Sequence, residues 1–243
     1  MARKDCKLIC CIASVIEPHL ATLSAGDTII PPLEQARRWL STCQDEHDRC
    51  SVKKELELPT RLVRVEKDGQ TLSAQLCESL SLPPDTEYLT LSHCWGTTPF
   101  LNLTKENIEQ MKVSIPIVSL PQLFQDAVRA THELGFNYIW IDSLCIIQNS
   151  DGGADWLRES PTMDRIYGNS ACNLSATGFS DGQNGLLVTA DVREIFPPSI
   201  DCTKFVKNNV EYSVLPRTDW TSEVWGGPLN ARGWVFQEQI MVG

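Results

Sequence analysis

The chain has 243 residues, of which 42% are hydrophobic and 21% charged, the balance of a folded globular protein rather than a disordered one. Its net charge of -10 and the absence of a basic stripe argue against a nucleic-acid-binding surface, and no apolar run approaches the length of a membrane span. Ten cysteines are scattered over a chain too large to need disulfide staples, several inside apolar runs, which favours free thiols and a cytoplasmic setting.

Taken in order, the first segment runs to Pro31-Pro32. Arg3-Lys4 before Leu8–Ile16 has the outline of a signal peptide, but Asp5 and Lys7 interrupt it and Glu17-Pro18 end it early. Leu8–Ile16 fits a short buried helix or a strand. A helix is predicted over about Leu33–Cys50, where Leu33, Ala36, Leu40, Cys43, His47 and Cys50 recur at three- and four-residue steps and share one face. Leu62–Val65, the Asp68-Gly69 turn and Thr71–Leu76 form a hairpin pattern, and Pro83-Pro84 make a linker. These features define an N-terminal helical lobe with a small hairpin, residues 1–84, ahead of a core domain over 85–243.

From there strands and helices alternate. Tyr88–Ser92 is a predicted strand, and residues 97–118 are loop with one helical turn from Thr104. Ser119-Leu120-Pro121 opens a helix whose apolar face is Leu123, Phe124, Ala127, Val128 and Leu134. A strand follows at Tyr138–Ile141, then a Gly-rich loop at Asp151-Gly152-Gly153, a helical segment through Tyr167, and a strand at Ala171–Thr177. This order implies an α/β fold, a mainly parallel sheet flanked by helices. Residues 178–228 read as loops and short strands, with Tyr212–Leu215 the strongest strand candidate. The final helix is left almost immediately, as in a piece of a longer protein.

The stretch Leu134–Gln148 (LGFNYIWIDSLCIIQ) carries most information. Its helix ends at Gly135, a buried strand follows, and an acid, a hydroxyl and a thiol stand where that strand runs out. In open α/β sheets ligands bind at that carboxyl edge. Asp142 and Ser143 therefore face a crevice, where Asp142 either holds a ribose, orients His93 or Arg232, or caps the following loop. Cys145, between Leu144 and Ile146, reads as a buried small apolar residue. Ser92-His93-Cys94-Trp95-Gly96 ends the preceding strand. Adjacent strand residues point to opposite faces, so His93 and Cys94 do not pair as a thiolate couple unless the chain has turned; Ser92 or His93 lines the crevice, Trp95 stacks or packs, and Gly96 permits a tight turn.

Three blocks resemble the fungal heterokaryon-incompatibility (HET) domain: Tyr88–Gly96 (YLTLSHCWG), Leu134–Gln148 continuing into Asp155–Ser160 (DWLRES), and Arg232–Glu238 (RGWVFQE). The resemblance covers about residues 88–239. It implies a domain of non-self recognition and programmed cell death with a Toll/interleukin-receptor (TIR)-like, flavodoxin-like topology. It further implies that Glu159, with Trp156 close upstream, is the catalytic carboxylate of an enzyme cleaving the nicotinamide–ribose bond of NAD. In the alternative, Glu159 is an acid stabilised at a helix start and the domain is a non-enzymatic module that self-associates or recruits other death-signalling proteins. Pro161 departs from what a continuous helix after Glu159 would need, placing Glu159 just before the helix proper. Ser92, His93, Trp95, Asp142, Ser143, Trp156 and Arg232 are the expected dinucleotide contacts, though Arg232, Trp234 and Glu238 equally fit a structural ion pair and a core Trp. Cys43, His47 and Cys50 share one helical face, as zinc ligands or as core, with Cys6, Cys10 or Cys11 available as a fourth ligand.

Overall fold

The computed structural model describes residues 9–10, 32–46, 57–183, 185–186, 205–207, 210–212 and 226–231. Its strands are β1 (Ile9–Cys10), β2 (Arg61–Asp68), β3 (Thr71–Glu78), β4 (Leu89–Ser92), β5 (Tyr138–Trp140), β6 (Cys172–Ser175), β7 (Phe205–Lys207) and β8 (Val210–Tyr212). The α-helices are α1 (Pro32–Glu46), α2 (Ile108–Val113), α3 (Gln122–Glu133), α4 (Asp142–Cys145), α5 (Ala154–Glu159) and α6 (Met163–Asn169).

Six strands form one sheet in the order β1-β6-β4-β5-β2-β3. β1, β6, β4 and β5 run parallel. The hairpin β2–β3 joins antiparallel through Val63↔Ile139 and Arg64↔Tyr138. The sheet is therefore mixed, and the architecture is α/β. The parallel part has the physical cause expected of it: helical crossovers carry the chain back between β4, β5 and β6. The hairpin, grouped by sequence with the N-terminal lobe, instead extends the core sheet. Leu62, Val63 and Val65 have no exposed surface, so β2 is buried on both faces where it pairs with β5. Gly69 at the tip has φ +57°, which a two-residue hairpin loop favours.

The hydrophobic core lies on both faces of the sheet. α3 buries Leu123, Phe124, Ala127 and Val128, as the sequence pattern predicts. Trp140 is 1% exposed and meets the Tyr167 ring of α6 edge-on at 5.6 Å. The Tyr88 hydroxyl donates to the Ile166 carbonyl at 2.7 Å, so the ring is buried without an orphaned polar atom. α1 buries the stripe Leu33, Ala36, Leu40 and Cys43; the predicted continuation to His47 and Cys50 lies outside the described residues. β1 accounts for part of Leu8–Ile16, as a strand rather than a helix. β7 and β8 form a separate two-stranded sheet, so the strand sought at Tyr212–Leu215 begins earlier, at Val210.

Candidate active site

β4, β5 and β6 end together at Ser92, Trp140 and Ser175. β2 runs the other way, so its first residue, Arg61, stands at the edge where β5 finishes. This edge collects the chemistry of the molecule in two neighbouring clusters.

The first cluster is built on α5. The helix is six residues long, starts after two glycines at positive φ (Gly152 at 61°, Gly153 at 71°) and stops before Pro161. Pro161 lies in the 3-10 turn Ser160–Thr162 that leads to α6, so Glu159 is the last residue of one short helix and not the forerunner of a single long one. So short a helix is not stable by itself and takes its direction from tertiary contacts. Asp155 and Glu159 stand at positions i and i+4, hence on one face. Both are buried, at 4% and 3% exposure.

Each carboxylate is held by one of two consecutive residues at the start of β2. Arg61 Nη1 and Nη2 each donate to Asp155 at 2.9 Å, the two-pronged geometry that suits a guanidinium. Arg61 Nη1 also donates to the Cys145 carbonyl at 2.7 Å, and Asp155 accepts the Ile147 amide at 2.7 Å and Arg158. Burial disfavours both charges, but their mutual hydrogen bonding outweighs it. The Asp155 carboxyl consequently sits below its ordinary range and Arg61 above its own. Next to it, Thr60 Oγ1 donates to Glu159 Oε1 at 2.5 Å, and Arg158 Nε donates to the same oxygen at 3.3 Å. A cavity of about 110 Å³ opens here, lined by Thr60, Arg158, Glu159, Thr162, Arg165 and their neighbours. That is smaller than the roughly 300 Å³ at the low end for whole drug-sized ligands.

The second cluster lies where β4 and β5 end. Trp95 Nε1 donates to Asp142 Oδ2 at 2.9 Å, and the Ser143 amide donates to Asp142 Oδ1 at 2.6 Å. His93 Nε2 lies 3.8 Å from Asp142 Oδ1. The strand ends at Trp140, and Asp142 opens the single turn of α4. Asp142 therefore accepts from Trp95 and from the amide of the next residue, while the N-cap position of the turn is Ile141. His93 is 3% exposed and meets Phe124 edge-on at 4.8 Å; Phe100 joins Trp95 and Phe124 at 5.6 and 5.5 Å. Gly96 has φ +67°, and a Cβ there would lie 2.5 Å from Asp181 Cβ. The glycine thus serves the turn and the close passage of residues 180–181.

The remaining candidates are distributed as follows. Ser92 is 2% exposed and bonded inward, accepting from Asn173 Nδ2 at 3.0 Å, in a buried polar ladder with Thr90. Ser143 has no exposed surface, and its hydroxyl has no hydrogen-bond partner among the described residues. Cys145 is enclosed, and burial pushes its thiol up to about 12. Such a thiol is protonated at neutral pH, the behaviour of a small apolar side chain. Cys94 packs on Leu229 while His93 packs on Phe124, both just past the end of β4 at Ser92. Trp156 is 42% exposed on α5. Arg232, Trp234 and Glu238 lie outside the described residues, as do Cys6, Cys11, His47 and Cys50. Cys43 is buried on α1, and among the described residues no three His, Cys, Asp or Glu side chains converge as a metal site requires.

Sequence reasoning missed Thr60, Arg61 and the inner role of Asp155. The i, i+4 spacing of Asp155 and Glu159 was legible. The partner hairpin was not, because it lies about a hundred residues upstream and antiparallel pairing to β5 leaves no local signature. No curated protein and no solved structure matches the chain. The family described as heterokaryon incompatibility protein (HET) does match, over residues 88–238, which contain β4, β5, β6, both clusters' carboxylates and most of the cavity wall. The match spans well over half of the sequence, and the chain belongs to the heterokaryon incompatibility protein family.

Proposed function

We propose that this chain is a cell-death effector domain of heterokaryon incompatibility, with a TIR-like mode of action, that hydrolyses NAD between nicotinamide and ribose. The observation that carries the reading is Glu159, a buried carboxylate lining a small cavity together with Arg158 and Arg165. In the reaction the bond from ribose C1′ to the nicotinamide nitrogen breaks, and its electron pair leaves with the ring. Positive charge develops at C1′. A fixed carboxylate stabilises that charge directly, or grips the ribose hydroxyls that share it. Water then adds to C1′ and loses a proton to the carboxylate or to solvent. The Arg158 and Arg165 guanidiniums, paired in the free protein with Asp155, Glu159 and Glu57, exchange those carboxylates for the pyrophosphate, whose charge a forked cation recognises. The cavity is smaller than a whole dinucleotide, so part of the substrate lies outside it. Among the described residues no helix is long and apolar enough to cross a membrane.

A second reading rests on a different observation. Trp156 and Leu157 stand side by side on α5 at 42% and 61% exposure, two adjacent large apolar side chains in water. They suit self-association, either as a signalling module alone or to complete the enzyme. The two readings part in a killing assay: Glu159→Ala abolishes cell death if turnover is the effector, whereas death without turnover in a folded Glu159→Ala protein supports the scaffold.

A further inference from the structure

We infer that Arg61 is a positioning residue for Glu159, acting through Asp155, and that the working site therefore includes the hairpin upstream of the family-matched segment. The inference rests on the reading of Glu159 given above. Thr60 and Arg61 are consecutive, and the carboxylates they hold are one helical turn apart on one face of α5. The arrangement is a two-point clamp. Its Asp155 point is the rigid one, with both guanidinium prongs, the Ile147 amide and the Ser150 hydroxyl capping the Asp155 amide at 3.0 Å. Its Glu159 point is the adjustable one, a hydroxyl and a half-exposed arginine on a single oxygen. A helix of six residues between glycines and a proline turn takes its placement from tertiary contacts such as these. Arg61 thereby sets the height and rotation of α5 on the sheet edge, and with them the direction in which Glu159 meets the cavity. Three of the five N–H groups of Arg61 are held by Asp155 and the Cys145 carbonyl, and Arg61 does not line the cavity that Glu159 faces. Both anchors lie before residue 88, where the family match begins.

The test uses the full chain and reads kcat per folded molecule. Arg61→Met with Asp155→Leu removes the pair without leaving a lone buried charge, so the fold is spared the worst penalty. Arg61→Lys keeps charge but loses the fork, and Thr60→Val and Thr60→Ser separate the hydroxyl from the methyl. Nicotinamide release is expected to fall at least tenfold in kcat with KM within threefold in the double variant and in Thr60→Val, to fall less in Arg61→Lys, and to recover in Thr60→Ser. A merely structural pair would lower the folded fraction and leave kcat per folded molecule unchanged, and that result overturns the inference. If the parent releases no nicotinamide, the enzyme reading fails instead. Crystal structures of parent and double variant then decide the positioning: a Glu159 carboxylate that leaves Thr60 Oγ1 supports it, and one that stays overturns it.

Discussion

Thr60 and Glu159 are 99 positions apart in the sequence, yet a 2.5 Å hydrogen bond joins the threonine hydroxyl to the glutamate carboxylate. The bond ties the sheet edge to a buried carboxylate that faces a cavity, and fold and proposed chemistry meet in it. Its neighbour, the Arg61–Asp155 pair, supplies the first prediction.

Acid unfolding should report that pair. Asp155 is held below its ordinary carboxylate range, so in the window between its folded value and the unfolded value near ~3.9 the unfolded chain binds the extra proton. The pair's contribution is complete above about pH 5 and is lost as pH falls through the lowered folded value. Urea midpoints measured between pH 6 and pH 3 should fall for the parent, and less steeply for Arg61→Met/Asp155→Leu. Removing Asp155 alone strands a buried guanidinium and should cost about 3–5 kcal/mol.

Cys145 should behave as an inert core residue. With its thiol pushed up to about 12 by burial, alkylation by iodoacetamide at pH 8 should reach it only on unfolding. Cys145→Ala should leave nicotinamide release within about twofold of the parent, at a modest loss of stability on the order of 1 kcal/mol. Rapid labelling in the folded protein would contradict the enclosure seen here.

Gly96 should resist substitution. An alanine there adopts a left-handed backbone, which costs roughly 1–2 kcal/mol, and its methyl meets Asp181 Cβ. Gly96→Ala should lower the unfolding free energy by about 2–4 kcal/mol with overpacking added, measured by urea titration. Gly69→Ala, with nothing within 4 Å of its added Cβ, bears only the backbone part.

Self-association should depend on α5. Trp156→Ala/Leu157→Ser is expected to reduce any concentration-dependent oligomer seen by sedimentation, without loss of the folded monomer. An unchanged distribution would remove this surface from the assembly.

Much of the fold was readable because strong local periodicities coincide with tertiary demands. The α3 stripe and the Tyr138–Trp140 strand arise this way, and the hairpin announces itself through Asp68-Gly69. Its destination does not, since β2 pairs with a strand some seventy-five residues away and local pattern carries no register with a distant edge. The same limit explains the site. Glu159, Asp142, His93 and Trp95 fall at strand and helix ends that the sequence marks. Burial of Ser143 and the inward hydrogen bonding of Ser92 depend on how residues 103 and 173 pack against them, as the Leu103 amide bond to the Ser143 carbonyl at 2.8 Å illustrates. Pro161 falls in a 3-10 turn, and Glu159, expected just before the helix proper, is instead the last residue of the short helix that precedes that turn.

The most direct test of the central claim is nicotinamide release from NAD by the purified chain at high concentration, with Glu159→Gln alongside. Glu159→Gln keeps the side chain's size and its acceptor to Thr60 while removing the charge. Release by the parent, reduced at least a hundredfold in the variant with unfolding behaviour unchanged, is the predicted result. Equal release by both proteins would contradict the assignment of Glu159, and silence of the parent even after forced oligomerisation would contradict the enzyme.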